Sequence, residues 1–125
     1  MDMGIGVDVV NIERIASLSQ AVRERLFHPL ELEQASHLPL ASQAEFLAGR
    51  FAAKEALGKA LGTGLAGFSL KDIWVERQEN GKPVFHFQGK AKELVGQRNA
   101  LLSISHDRPV AVAMVVLQGG GDGSF

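Results

Sequence analysis

The 125-residue chain carries 13 Lys and Arg against 14 Asp and Glu, a formal net charge of -1, and 46% of its residues are hydrophobic. That length suits one domain with a small core, to which self-association would add buried surface, and the near-neutral charge offers no global field for nucleic acid or an anionic membrane. Cysteine is absent, which excludes disulfides, zinc–thiolate sites and thiol catalysis and accords with a reducing compartment.

The amino-terminal "MDMGIGVDVV" has no basic region ahead of an apolar one and carries Asp2 and Asp8, so it does not read as a signal peptide. "GIGVDVV" alternates, with Ile5, Val7 and Val9 on one side and Gly4, Gly6 and Asp8 on the other, as an opening strand does. Asn11 can cap a helix carrying Ile15, Leu18, Val22 and Leu26 on one face, interrupted at His28-Pro29. "LELEQASHL" reads as a short helix ending near Pro39. "SQAEFLAGRFAAKEALGKALG" is the strongest helical segment, and Ser42 with Glu45 forms a capping-box pattern at its start.

The second half is β-rich. "DIWVERQENGKPVFHF" predicts two strands around Asn80-Gly81, and "KAKELVGQ" a short helix. "ALLSISHDRPVAVAMVVL" predicts two strands joined by a turn at Asp107-Arg108-Pro109. Its apolar run "VAVAMVVL" is far too short to span a bilayer. The expectation is a soluble cytoplasmic protein with one domain over 1–118 and a flexible glycine-rich tail over 119–125. Its fold is α+β, with helices packed on a mainly antiparallel sheet.

Three places look chemical. At about 100° per residue from Leu47, Glu55 falls at about 80° and Lys59 at about 120° on the long helix, in a narrow sector floored by Ala48 and Ala52. A carboxylate and an ammonium beside small residues leave room for a ligand. The plainer alternative is an i,i+4 ion pair followed by a glycine C-cap at Gly62-Thr63-Gly64. Asp8 sits in an apolar strand with glycines on its own face, which marks close approach of a ligand or another backbone; otherwise it caps the next helix. His106 ends a strand in "SISHD", where sites collect, unless it serves the local turn. Two carboxylates and a lysine without cysteine suit Mg²⁺ and a phosphate-bearing substrate, because hard oxygens hold that ion and it keeps waters and phosphate oxygens as its other ligands. Neither a GxxxxGK[ST] loop nor a GxGxxG fingerprint is present.

Taken together, "GIGVDVVNIERI", "FLAGRFAAKEALGKALGTG", "NGKP" and "LLSISHDRPVAVAMVV" resemble the bacterial holo-acyl-carrier-protein synthase family, the short 4′-phosphopantetheinyl transferases, from Gly4 to about Leu117. The resemblance implies transfer of 4′-phosphopantetheine from coenzyme A to a serine of apo-acyl carrier protein, with Mg²⁺, releasing adenosine 3′,5′-bisphosphate. It implies Asp8 and Glu55 as metal ligands, Lys59 on the coenzyme A pyrophosphate and His106 near the nucleotide phosphates. Arg14 becomes a contact to the acidic carrier protein; Arg50, Gly62, Thr63 and Gly64 fall in the coenzyme A region. It implies a homotrimer with active sites at subunit interfaces; the charge balance already points to neither a nucleic-acid nor a membrane partner. Arg23 and Arg25 lie in a segment that follows the family pattern loosely, and "HDRP" departs from it after the histidine. The alternatives are a non-catalytic coenzyme A-binding or oligomeric module, with no metal dependence, and a metal-dependent phosphohydrolase that cleaves coenzyme A without a carrier.

Overall fold

The first strand, β1 (Met3–Asn11), alternates as expected, but it turns its small and acidic residues inward. Met3, Ile5, Val7 and Val9 point away from the molecule and are 60%, 65%, 53% and 60% exposed. The cause is the helix on the other face. A Cβ added to Gly4 would lie 2.1 Å from the Ala60 carbonyl oxygen, and one added to Gly6 would lie 2.0 Å from that of Ala56. Of the two reasons for glycine in this strand, the structure therefore displays backbone approach directly. The helix concerned is α4 (Leu40–Leu61), whose Ala52, Ala53, Ala56 and Ala60 are all buried. Small residues on both partners let helix and strand backbones nearly touch.

The structure, a computed structural model, describes residues 3–119; of the expected tail, positions 120–125 lie outside the described residues. β1 pairs antiparallel with β5 (Val110–Gln118), which pairs antiparallel with β4 (Asn99–Asp107), giving the order β1-β5-β4. The register sets Asp8, Ala113 and Ile104 in one row of the inner face, and Val10, Ala111 and His106 in the next. Ile5, Val116 and Leu101 form a row of the outer face. The predicted hairpin is present as β2 (Ile73–Arg77) and β3 (Pro83–Phe87), turning through Gly81 at φ 86°, and α5 (Gly89–Val95) follows it. The α+β architecture is thus as the sequence predicts.

Two local expectations fail. The helix after Asn11 is two helices, α1 (Ile12–Ala16) and α2 (Gln20–Leu26). Asn11 caps the first, accepting from the Glu13 N–H. Ser19 then offers a competing start, its hydroxyl accepting from the Val22 N–H, so the chain breaks at 17–19. The Ser42–Glu45 capping box does not form. α4 begins earlier, at Leu40, with Pro39 as N-cap at φ -54° and no side-chain cap; the ring presets that angle. Glu45 is then already inside the helix and bonds Arg108 instead. A capping box forms at α3 (Pro29–Ser36), where the His28 side chain and Glu31 satisfy each other's backbone.

That Glu31 leads to a polar core the sequence reading passed over. Glu31 and Lys54 are both fully buried and pair at 2.6 Å. The Lys54 ammonium also donates to the carbonyls of Leu26 and Leu70, and Glu31 accepts from the Val75 N–H. Burial pushes the Lys54 pKa down, while Glu31 pulls it back up. One ion pair therefore ties α2, α3, α4 and β2 together with its hydrogen-bonding capacity filled.

Candidate active site

Asp8, Glu55 and Lys59 meet along the seam where β1 lies against α4. Asp8 is brought there by the alternation that also turns Gly4 and Gly6 inward. Lys59, one helical turn beyond Glu55, crosses the seam rather than reaching back to it. Its ammonium donates to the Val7 carbonyl at 2.9 Å and to Asp8 Oδ1 at 3.1 Å. The i,i+4 pair considered from the sequence is thus replaced by a pair between strand and helix. Asp8 does not cap a helix either, since Asn11 does. The Asp8 carboxylate is 16% exposed and the Lys59 side chain 54%, so the seam opens to solvent on the lysine side.

Glu55 is left with the weaker compensation. Its pKa is raised, first by burial and then by the nearby Asp8 charge, with Lys59 and Arg14 acting in the opposite direction. A divalent cation beside Glu55 would relieve the burial and the neighbouring Asp8 charge that hold its carboxyl protonated to higher pH. The described residues hold no group of three or more His, Asp or Glu placed to bind a metal. Asp8 and Glu55 could hold an ion that takes two protein carboxylates and completes its shell with water and substrate oxygens, as Mg²⁺ does.

Arg14, exposed on α1, contributes positive charge near Glu55. Gly62, Thr63 and Gly64 close α4: Gly62 is left-handed at φ 81°, and the Thr63 and Gly64 N–H groups bond the Gly58 carbonyl. The C-cap reading of that triplet therefore holds as structure. Arg25 is exposed, whereas Arg23 is partly buried and bonds the Ala16 carbonyl.

Arg50 and His106 lie elsewhere. Glu55 lies five positions beyond Arg50, which places them about 140° apart around α4. Arg50 and His106 line a cavity of about 250 Å³ together with Arg77, Glu45, Ser42 and Phe46. Arg50 is buried, its guanidinium 3.7 Å from the centre of the Phe46 ring, and its Nε has no hydrogen-bond partner. Burial lowers its pKa to about 10, so it stays charged at neutral pH. Arg50 and Arg77 bring positive charge to this cavity, a lining that suits an anion, with Glu45 as the one acid along it.

Arg77, on β2, is a residue the sequence reading missed. Nothing local distinguishes it from a solvated hairpin arginine; only the hairpin's packing brings it to the cavity. Lys54 and Arg50 did carry a signal. On the wheel that places Leu47 at zero they fall at about 340° and 300°, among Leu57 and Leu61, on the apolar side of α4.

The chain matches the 4′-phosphopantetheinyl transferase superfamily over residues 4–113. It is 48% identical to the holo-[acyl-carrier-protein] synthase of Geobacillus kaustophilus over 122 residues, covering 94% of this chain and 90% of that one. It is 43% identical to the Clostridium perfringens enzyme of the same name, covering 95% of this chain and 96% of that one. The fold superposes with a TM-score of 0.82 on a holo-(acyl-carrier-protein) synthase from Bacillus anthracis, solved in complex with CoA (3′,5′-ADP). That protein is 39% identical, with 94% of this chain and 96% of that chain covered. The chain belongs to the 4′-phosphopantetheinyl transferase superfamily.

Proposed function

We propose that this chain is a holo-acyl-carrier-protein synthase, moving 4′-phosphopantetheine from coenzyme A to a serine of apo-acyl carrier protein, with its chemistry at the β1–α4 seam. The observation that carries the siting is the convergence of Asp8, Glu55 and Lys59 along the solvent-facing edge of the seam that glycine and alanine close between β1 and α4. Asp8 and Glu55 would hold Mg²⁺, which when bound supplies positive charge to polarise the phosphoryl oxygens of coenzyme A. Lys59 neutralises charge on the pyrophosphate and stabilises the departing adenosine 3′,5′-bisphosphate. The carrier serine attacks the phosphorus bearing pantetheine. Arg14, exposed beside Glu55, sits where an acidic carrier would dock.

The cavity with Arg50, Arg77 and His106 suits the nucleotide phosphate end of coenzyme A. It lies on a different flank of α4 from the seam, and a second copy is our reading of what would unite the two. The outer sheet face supports this reading, since Met3, Ile5, Val7, Val9, Leu101 and Met114 are large, apolar and exposed together. A symmetric trimer joined through that face would set the seam of one copy against the cavity of the next. Among the described residues no helix is long and apolar enough to cross a membrane.

The test is the intact mass of apo-acyl carrier protein after incubation with the protein, coenzyme A and Mg²⁺, with an EDTA control. A metal-dependent gain of one phosphopantetheine group is expected. Binding of coenzyme A with no gain on any carrier would leave a non-catalytic binding module, and cleavage of coenzyme A without a carrier would make it a hydrolase.

A further inference from the structure

One acid stands out of place in the basic cavity. Glu45 lines it alongside Arg50, Arg77 and His106. A carboxylate there repels any anion the arginines attract, and its charge acts across a partly solvated space. Glu45 is not left to itself. Arg108, in the turn between β4 and β5, donates from Nε to Glu45 Oε2 at 2.9 Å. The same guanidinium donates from its second terminal nitrogen to the Ala41 carbonyl at 2.9 Å, and its first lies 3.5 Å from Glu13 Oε1. The fork is therefore fixed on α4 by two hydrogen bonds and faces α1 with its remaining nitrogen. Arg108 is not itself among the residues lining the cavity.

We infer that Arg108 is a positioning residue for substrate binding: it neutralises Glu45 and turns that carboxylate away from the anion the cavity receives. Its role is exercised through Glu45, without contact to the ligand. The inference rests on the reading that the cavity takes a phosphate of coenzyme A. It explains why a turn residue makes three separate contacts to two helices, when the hairpin's register needs none of them. It also makes the cavity's affinity depend on a pair outside the two arginines and the histidine.

The experiment is a double-mutant cycle on steady-state transfer with varied coenzyme A. Arg108→Gln should raise KM for coenzyme A roughly threefold to tenfold, as one uncompensated nearby charge does in a partly solvated site, with little change in kcat. Adding Glu45→Gln to that variant should return KM to within about twofold of the parent. A merely structural role for Arg108 would not be repaired by neutralising Glu45, nor would a direct contact to the ligand; failure of the rescue overturns the inference. So would a rise in KM from Glu45→Gln alone, because Glu45 would then be serving the ligand. Should Arg108→Gln not fold, Arg108→Lys carries the same comparison, with a smaller rise again removed by Glu45→Gln. Arg50→Gln is run alongside: if it leaves KM for coenzyme A at the parental value, the cavity is not a coenzyme A site and the underlying reading fails instead.

Discussion

Lys54 and Glu55 are neighbours on one helix and live under opposite electrostatic regimes. Lys54 points to the side away from β1, fully buried, with Glu31 and two backbone carbonyls filling its donors. Glu55 stands at the edge of the seam with no hydrogen bond or ion pair of its own among the described residues, and its carboxylate resists ionisation. The 100° turn between successive helical residues separates a finished interaction from an unfinished one. A finished polar cluster in a protein interior holds elements in register. An unfinished one at an open groove is where a ligand gains most, because the ligand supplies what the fold has withheld.

That contrast can be broken at each end. The largest effect is expected on the buried side. Lys54→Met leaves the Glu31 carboxylate buried without its partner and should cost about 3–5 kcal/mol of stability, read from urea denaturation; a loss under about 1 kcal/mol would place that pair with weak surface bridges. Next comes the contact that brings helix and strand together. Gly6→Ala drives a methyl into the Ala56 carbonyl, where helix or strand must shift. A cost of about 1–3 kcal/mol is expected, together with a fall in kcat, because Glu55 moves away from Asp8. Loss of stability with parental turnover would detach the seam from catalysis.

A smaller effect concerns protons. Because Glu55 has a raised pKa when folded, the folded protein takes up its proton at higher pH than the unfolded chain does. Its ionised form therefore costs stability at neutral pH, and that stability is regained as pH falls through the raised value. Turnover moves the other way, since a protonated Glu55 cannot hold a cation. With Mg²⁺ kept below saturation, the acid limb of kcat/KM, which reports the unloaded protein, should lie above pH 4.5, the ordinary value for this carboxyl, and Glu55→Gln should not lower the melting temperature. An acid limb at or below 4.5 contradicts the assignment. The smallest effect is at the rim: Arg14→Ala should raise KM for the carrier severalfold, as loss of an exposed charge at an interface does, and leave KM for coenzyme A near the parental value. Equal effects on both substrates would remove its docking role.

Much of this was legible in the sequence, for identifiable reasons. The long helix is apolar around most of its circumference, and the Asn80-Gly81 hairpin announces itself by its turn chemistry. Asp8, Glu55 and Lys59 were each conspicuous because each interrupts a run of small or apolar residues. Helix geometry put Glu55 and Lys59 in one sector, but only the family resemblance brought Asp8 to them, since that meeting depends on which face of β1 turns inward. Alternation gives two faces without saying which is buried, and the apolar one is here the outer. The break at 17–19 and the failed capping box at Ser42 were contests between nearby serine and proline caps, decided by a single hydrogen bond or a preset φ. Lys54 and Arg108 form their contacts across 23 and 63 residues, to Glu31 and Glu45, Arg77 shares a cavity with the distant Arg50, and no local pattern encodes such separations.

The central claim is that the seam at Glu55, and not the buried pair beside it, performs the transfer. It is tested most directly by a single-turnover assay of Glu55→Gln against the parent, with apo-acyl carrier protein, coenzyme A and Mg²⁺, after confirming by circular dichroism that both are folded. The account predicts a fall of at least about a hundredfold in the rate of phosphopantetheine transfer, with the fold intact. A folded Glu55→Gln protein that transfers at the parental rate would contradict it.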